Sequence, residues 1–230
     1  MTEVRTYRQF RFSRPPGAAE LLLVRHGESI PARDDVPFPL VDGQGDPELD
    51  PVGHEQAERV ADRLQHEDVA AIYVSTLQRT AQTAAPLAAR LGIAPRVEPD
   101  LREVGLGDWE GTFRRHIAEG HPIAREMYLQ QRWDVIPNAE PAEAFAARVR
   151  GAITRIAEAH ADEAVVVVSH GGTIGQVLAL ATGARAFAFN GSDNGAISHL
   201  VVTPERWIVR RYNDTAHLSL AFTTAPEPPT

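Results

Sequence analysis

The chain has 230 residues, 43% hydrophobic and 23% charged, with 23 Lys+Arg against 31 Asp+Glu for a formal net charge of −8. This is ordinary globular composition, long enough for one domain with a sizeable core. The acidic balance argues against a general nucleic-acid binder, no apolar run nears the ~20 residues of a membrane span, and zero Cys removes disulfides, thiolate catalysis and Cys-ligated metal.

Residues 1–17 carry Arg5, Arg8, Arg11 and Arg14 and end in Arg-Pro-Pro-Gly. With Glu3 and no apolar face they read as a basic tail or edge segment, not a leader. One domain is expected over 18–220. Glu20–Val24 is a buried strand by composition. Ile30–Asp50 is a long Pro/Asp-rich loop that starts at this strand's end and is expected to shape a pocket there. Gly53–Gln65 has Ala57, Val60, Ala61 and Leu64 at helical spacing. Ala70–Ser75 is a second strand. Leu77–Leu91 is an Ala-rich helix that Gly92 stops. Ala94–Glu98 is a short third strand.

Residues 104–140 break the rhythm with Gly105, Gly107, Trp109, Gly111 and Trp133, and are expected to form a small cap over one sheet end. Pro141–Ala159 is a long helix with Phe145, Val149, Ile153 and Ile156 on one face. Ala164–Val168 is a continuous β-branched strand, as central parallel strands are. Gly172–Ala181 is a helix, and Ala196–Thr203 with Trp207–Tyr212 forms a hairpin at Pro204-Glu205. Residues 221–230 read as a disordered tail. The β-then-α order predicts an α/β fold: a three-layer α/β/α sandwich with a mostly parallel sheet.

In such sheets ligands bind beyond the carboxyl ends of the strands. Arg25-His26-Gly27-Glu28-Ser29 follows the first strand, Ser75 to Ala84 with Arg79 follows the second, and Ser169-His170-Gly171-Gly172-Thr173 follows the fourth. Glu103 lies between strands three and four. Two Arg suit a phosphate dianion. A neutral imidazole can attack phosphorus, a second His can stabilise charge on the transferring oxygens, and a carboxylic acid can protonate the leaving alkoxide. Gly171-Gly172 opens a helix whose N-terminus favours anions. Each stretch alone is weak; together they fill every role without a metal or other cofactor. The remaining His show no ligand spacing, with His116 and His121 kept as cap contacts.

These stretches resemble the histidine phosphatase superfamily, the phosphoglycerate mutase-like fold, over roughly 20–212. Arg-His-Gly-Glu-Ser is the fingerprint; Leu49 to Ala57, Ser75 to Ala84, Leu101-Arg102-Glu103 to Gly111 and Ser169 to Gly172 follow in family order. The resemblance implies His26 as phosphorylated nucleophile and Glu103 as proton donor. Arg25, Arg79 and His170 would bind the phosphate, lined by Ser29, Gly171 and Gly172. His170-Gly171, and the lack of a second Arg after Arg-His-Gly, place the resemblance in the mutase/phosphatase branch rather than the acid phosphatase/phytase branch. Where cofactor-dependent mutases resemble Arg-His-Gly-x-Ser-x-Trp-Asn, this chain has Pro31-Ala32. The missing Asn favours a metal-independent phosphatase over a mutase; an idle phospho-ligand binding domain is the third reading. Arg33 is a weaker candidate to replace that Asn.

The expected partner is a small phosphorylated substrate, with neither nucleic acid nor membrane, in the cytoplasm. Arg114, Arg115, Arg125 and Arg132 are candidates to meet a second anionic group. Trp207 and Tyr212 are candidate contacts of a homodimer.

Overall fold

The computed structural model describes residues 6–9, 11–33, 35–36 and 38–219. Arg5 and the expected C-terminal tail at 221–230 lie outside the described residues.

A six-stranded sheet in the order β5-β4-β6-β1-β7-β8 forms the middle layer. Its strands are β1 (Ala19–Arg25), β4 (Val69–Val74), β5 (Arg96–Val97), β6 (Ala164–Ser169), β7 (Ile197–Val202) and β8 (Trp207–Asp214). β5, β4, β6 and β1 run parallel; β7 is antiparallel to both β1 and β8. β2 (Leu40–Val41) and β3 (Gln44–Gly45) make a separate small hairpin.

β6 shows why the middle strands read as unbroken apolar runs. Val165 and Val167 enter one core cluster, while Val166 and Val168 enter another on the opposite face. Both faces are covered, so alternation disappears. The first cluster takes Val149, Ile153 and Ile156 of α5 (Ala142–Ala159) with Ile174 and Leu178 of α6 (Gly171–Thr182). The second takes Val60 and Leu64 of α1 (Pro51–Leu64) with Ala84 and Leu87 of α2 (Gln78–Leu91). That is the expected sandwich. Truncating one of these fully buried Ile or Leu residues to Ala costs about 2–5 kcal/mol.

Several boundaries differ from expectation. α1 starts at Pro51 because the Asp50 side chain accepts from the Gly53 N–H at 2.7 Å and Pro51 needs no partner at the first helical position. β5 keeps only Arg96–Val97; Pro95 cannot donate to a ladder, and Pro99 opens a 3-10 turn. The 30–50 loop contains the hairpin, whose turn residues Asp42 and Gly43 both have positive φ. Residues 107–135 hold two 3-10 turns, α3 (Phe113–Ala118) and α4 (Pro122–Gln130) around a third apolar cluster of Trp109, Ala124, Met127 and Ile136. His116 stacks on Trp109 at 4.5 Å, with His121 edge-on at 5.2 Å. Trp207 packs onto the core under Arg150, and the Tyr212 hydroxyl donates to the Phe189 carbonyl.

Candidate active site

The carboxyl ends of β1, β4 and β6 bring Arg25, His26, Arg79 and His170 together. His26 follows β1 directly. Its ring lies 5.2 Å from that of His170, centroid to centroid, at 62°. Its Nδ1 is 2.7 Å from the Gly27 carbonyl, which can only accept, so the proton is assigned to Nδ1. The lone pair is then on Nε2. Burial, then the Arg79 and Arg25 guanidiniums, holds His26 well below the ordinary imidazole value, so the ring is neutral at pH 7.

Arg79 lies at the start of α2 and is almost fully buried. Its Nε donates toward His26 Nε2 at 3.3 Å, and its Nη1 donates to the Gly45 carbonyl at 3.0 Å. Arg25 Nη1 donates to the Ser192 carbonyl, while its buried Nε has no hydrogen-bond partner among the described residues. Burial lowers both guanidiniums from their usual range, but from so high a start that both stay cationic. His170 is wholly buried. Its Nε2 is 2.8 Å from the Ser75 hydroxyl, and its Nδ1 has no hydrogen-bond partner among the described residues. Burial and the Arg79 charge keep it neutral too. The rim thus sets a neutral imidazole nitrogen beside two buried cations, a setting that suits an anion.

Glu103 lines the same cavity as His26. Its Oε2 accepts from Gly172 N–H at 3.0 Å, and its Oε1 accepts from the N–H groups of Thr173 and Val104, each at 3.0 Å. The N-terminus of α6 thus holds the carboxylate, and the Gly172 N–H, expected to line a phosphate, is spent on Glu103. A Cβ at Gly172 would sit 2.6 Å from Glu103 Oε1, so only glycine allows this approach. Gly171 lies against Arg25.

A cavity of about 230 Å³ opens onto Arg25, His26, Arg79 and Glu103, with Ser29 and Arg114 in its wall. Arg33 does not line it; it forms a two-pronged pair with Asp35 in solvent. Of the four candidate cap arginines, Arg114 alone lines the cavity. Arg115 and Arg132 face Glu119 and Asp134.

Sequence reasoning missed Gln44, Glu110 and Asn194. Gln44 and Glu110 line the cavity. Asn194 Nδ2 donates to the His26 carbonyl at 3.0 Å. It arrives from the α6–β7 loop because β7 lies beside β1, a neighbourhood that no local pattern encodes.

Comparison with known proteins agrees with this geometry. The family model described as Histidine phosphatase superfamily (branch 1) matches residues 21–215. The chain is 31% identical over 204 residues to the metal-independent phosphoserine phosphatase of Arabidopsis thaliana, covering 87% of this chain and 83% of that protein. It is equally identical, over 87% of both chains, to phosphoglycerate mutase-like protein 4 of the same plant. Among solved structures, mycobacterial glucosyl-3-phosphoglycerate phosphatase superposes with a TM-score of 0.72 at 29% identity, covering 85% of this chain and 99% of that one.

Proposed function

This chain belongs to the histidine phosphatase superfamily, and we propose that His26 and Glu103 hydrolyse a small phosphomonoester that carries a second anionic group. The observation that carries the reading is the lone pair of His26 Nε2, neutral and flanked by two buried guanidiniums.

His26 Nε2 attacks phosphorus as the bond to the ester oxygen breaks. The leaving alkoxide takes a proton from Glu103. Arg25, Arg79 and His170 hold the three phosphoryl oxygens as charge moves among them. In the second half, the Glu103 carboxylate takes a proton from water as that water attacks phosphorus. The P–N bond breaks, its electrons return to His26, and inorganic phosphate leaves. No step asks for a metal.

Arg114 supports the second anionic group. It lines the cavity without an ion-pair partner among the described residues, and its charge is felt at both Arg25 and His26. A phosphorylated hydroxy acid offers a carboxylate beside its phosphate. Hydrolysis is favoured over mutase chemistry because Pro31 and Ala32 bring no side-chain donor to the phosphoryl group and Arg33 is engaged by Asp35.

The test is phosphate release from a panel of phosphomonoesters, with and without a carboxylate, by wild type and His26→Ala. The expected result is release by wild type, unchanged by EDTA, and none by the variant. Interconversion of 3- and 2-phosphoglycerate faster than phosphate release would assign a mutase instead.

A further inference from the structure

The small hairpin β2–β3 touches the chemistry twice through adjacent residues. Gly45 accepts from Arg79 through its carbonyl, and its N–H donates to Glu110 Oε2 at 3.1 Å. Gln44 reaches the other side of the site. Its Nε2 donates to the Glu103 carbonyl at 2.7 Å, and its Oε1 accepts from Arg102 Nε at 2.6 Å. The amide gives and takes here at once, donating through Nε2 and accepting through Oε1. Gln44 is itself buried.

Gln44 and Arg148 grip the same peptide. Arg148 Nη2 also donates to the Glu103 carbonyl, at 2.8 Å, while its Nη1 donates to the carbonyls of Asp100 and Arg102. Arg148 anchors the acid's main chain to α5; Gln44 ties it to the element that holds Arg79. Glu110 closes the frame, accepting from Leu106 N–H with its other oxygen at 2.7 Å. The separation between proton donor and phosphate-holding guanidinium is therefore spanned by two consecutive residues of one strand.

We propose that Gln44 is a positioning residue for the general acid, fixing Glu103 relative to Arg79 through the hairpin. This rests on Glu103 being the proton donor. Its role therefore depends on the leaving group. An alkoxide cannot depart without a proton, whereas p-nitrophenolate can. A displaced acid penalises only the former. General acids contribute on the order of 10²–10⁴-fold, and a shift of about 1 Å can forfeit about 10²-fold of that.

The experiment compares kcat/KM for an alkyl phosphate and for p-nitrophenyl phosphate in wild type, Gln44→Met, Gln44→Glu and Glu103→Gln, with Tm for each. This ratio reports the step in which the leaving group departs. Gln44→Glu has nearly the same shape and keeps the acceptor for Arg102 but has no donor for Glu103. Both Gln44 variants are expected to lose tenfold or more on the alkyl ester and under threefold on the aryl ester. Glu103→Gln is expected to show the same split, more strongly. If Glu103→Gln shows the split and folded Gln44 variants lose both esters equally, or neither, the positioning role is wrong. If Glu103→Gln shows no split, the acid assignment itself fails.

Discussion

Gly172→Ala separates the chemistry of the site from its stability. The added Cβ would lie 2.6 Å from Glu103 Oε1, against ordinary contacts that begin near 3.4 Å. The carboxylate must therefore retreat by about 0.8 Å, the difference between those distances. A misplacement of that size costs up to about 10²-fold in rate. The backbone is already helical at this position, so Ala should favour the helix by up to about 1 kcal/mol. Loosening the two N–H bonds from Gly172 and Thr173 offsets a similar amount. The expected outcome is a ten- to hundredfold loss in kcat/KM on an alkyl phosphate, with Tm moved by no more than a few degrees. Phosphate release and a thermal melt on the same preparation check it. Wild-type turnover at unchanged Tm would mean the carboxylate is not where the reaction uses it.

Four further outcomes are expected. Because His26 and His170 are both held well below 6.5, the acid limb of kcat/KM should lie under pH 6.5, and Arg79→Gln should move it upward by removing a neighbouring cation. The unfolded chain binds protons at both rings near its ordinary value while the folded one does not, so stability is complete above pH ~6.5 and falls on acidification; denaturant melts at pH 7.5 and 5.5 should show this sign. Gly53→Ala drives a Cβ into the Glu28 carbonyl, backbone against backbone beside the nucleophile, and should cost about 1–3 kcal/mol in a guanidinium melt. Arg114→Ala should raise KM about tenfold or more for a carboxylated phosphomonoester while barely changing it for p-nitrophenyl phosphate; equal effects on both would remove Arg114 from specificity.

The sandwich was legible because its middle strands are covered on both faces, which leaves runs such as Val165–Val168 that no solvent-facing strand would carry. His26, Arg79 and His170 were legible for a related reason: each follows a strand closely, so the parallel topology alone brings them to one rim. The hairpin was not. Its strands are two residues each, too short for any periodicity, and the one available signal was Asp42-Gly43, whose positive φ values make the turn. Gln44 and Glu110 were hidden because they act on backbone groups of distant loops. Arg33 was the weaker candidate for a phosphate donor because it sits between acidic neighbours, and it pairs with Asp35. Ser192 and Asn194 depend on β7 joining antiparallel beside β1, a pairing that the α/β rhythm does not foretell.

One choice in this site is unusual in its economy. A helix N-terminus beside a phosphate pocket ordinarily offers its N–H groups to the phosphate. Here the first turn of α6 offers two of them to Glu103 instead, and in the proposed reaction the phosphoryl group is left to Arg25, Arg79 and the imidazoles. The helix dipole also favours negative charge at this end. A site built only to trap a phosphoryl group would spend that field on the phosphate. On the proposed assignment of Glu103 as the base, directing it to the carboxylate favours release by water over storage of the phosphoenzyme, in line with a phosphatase.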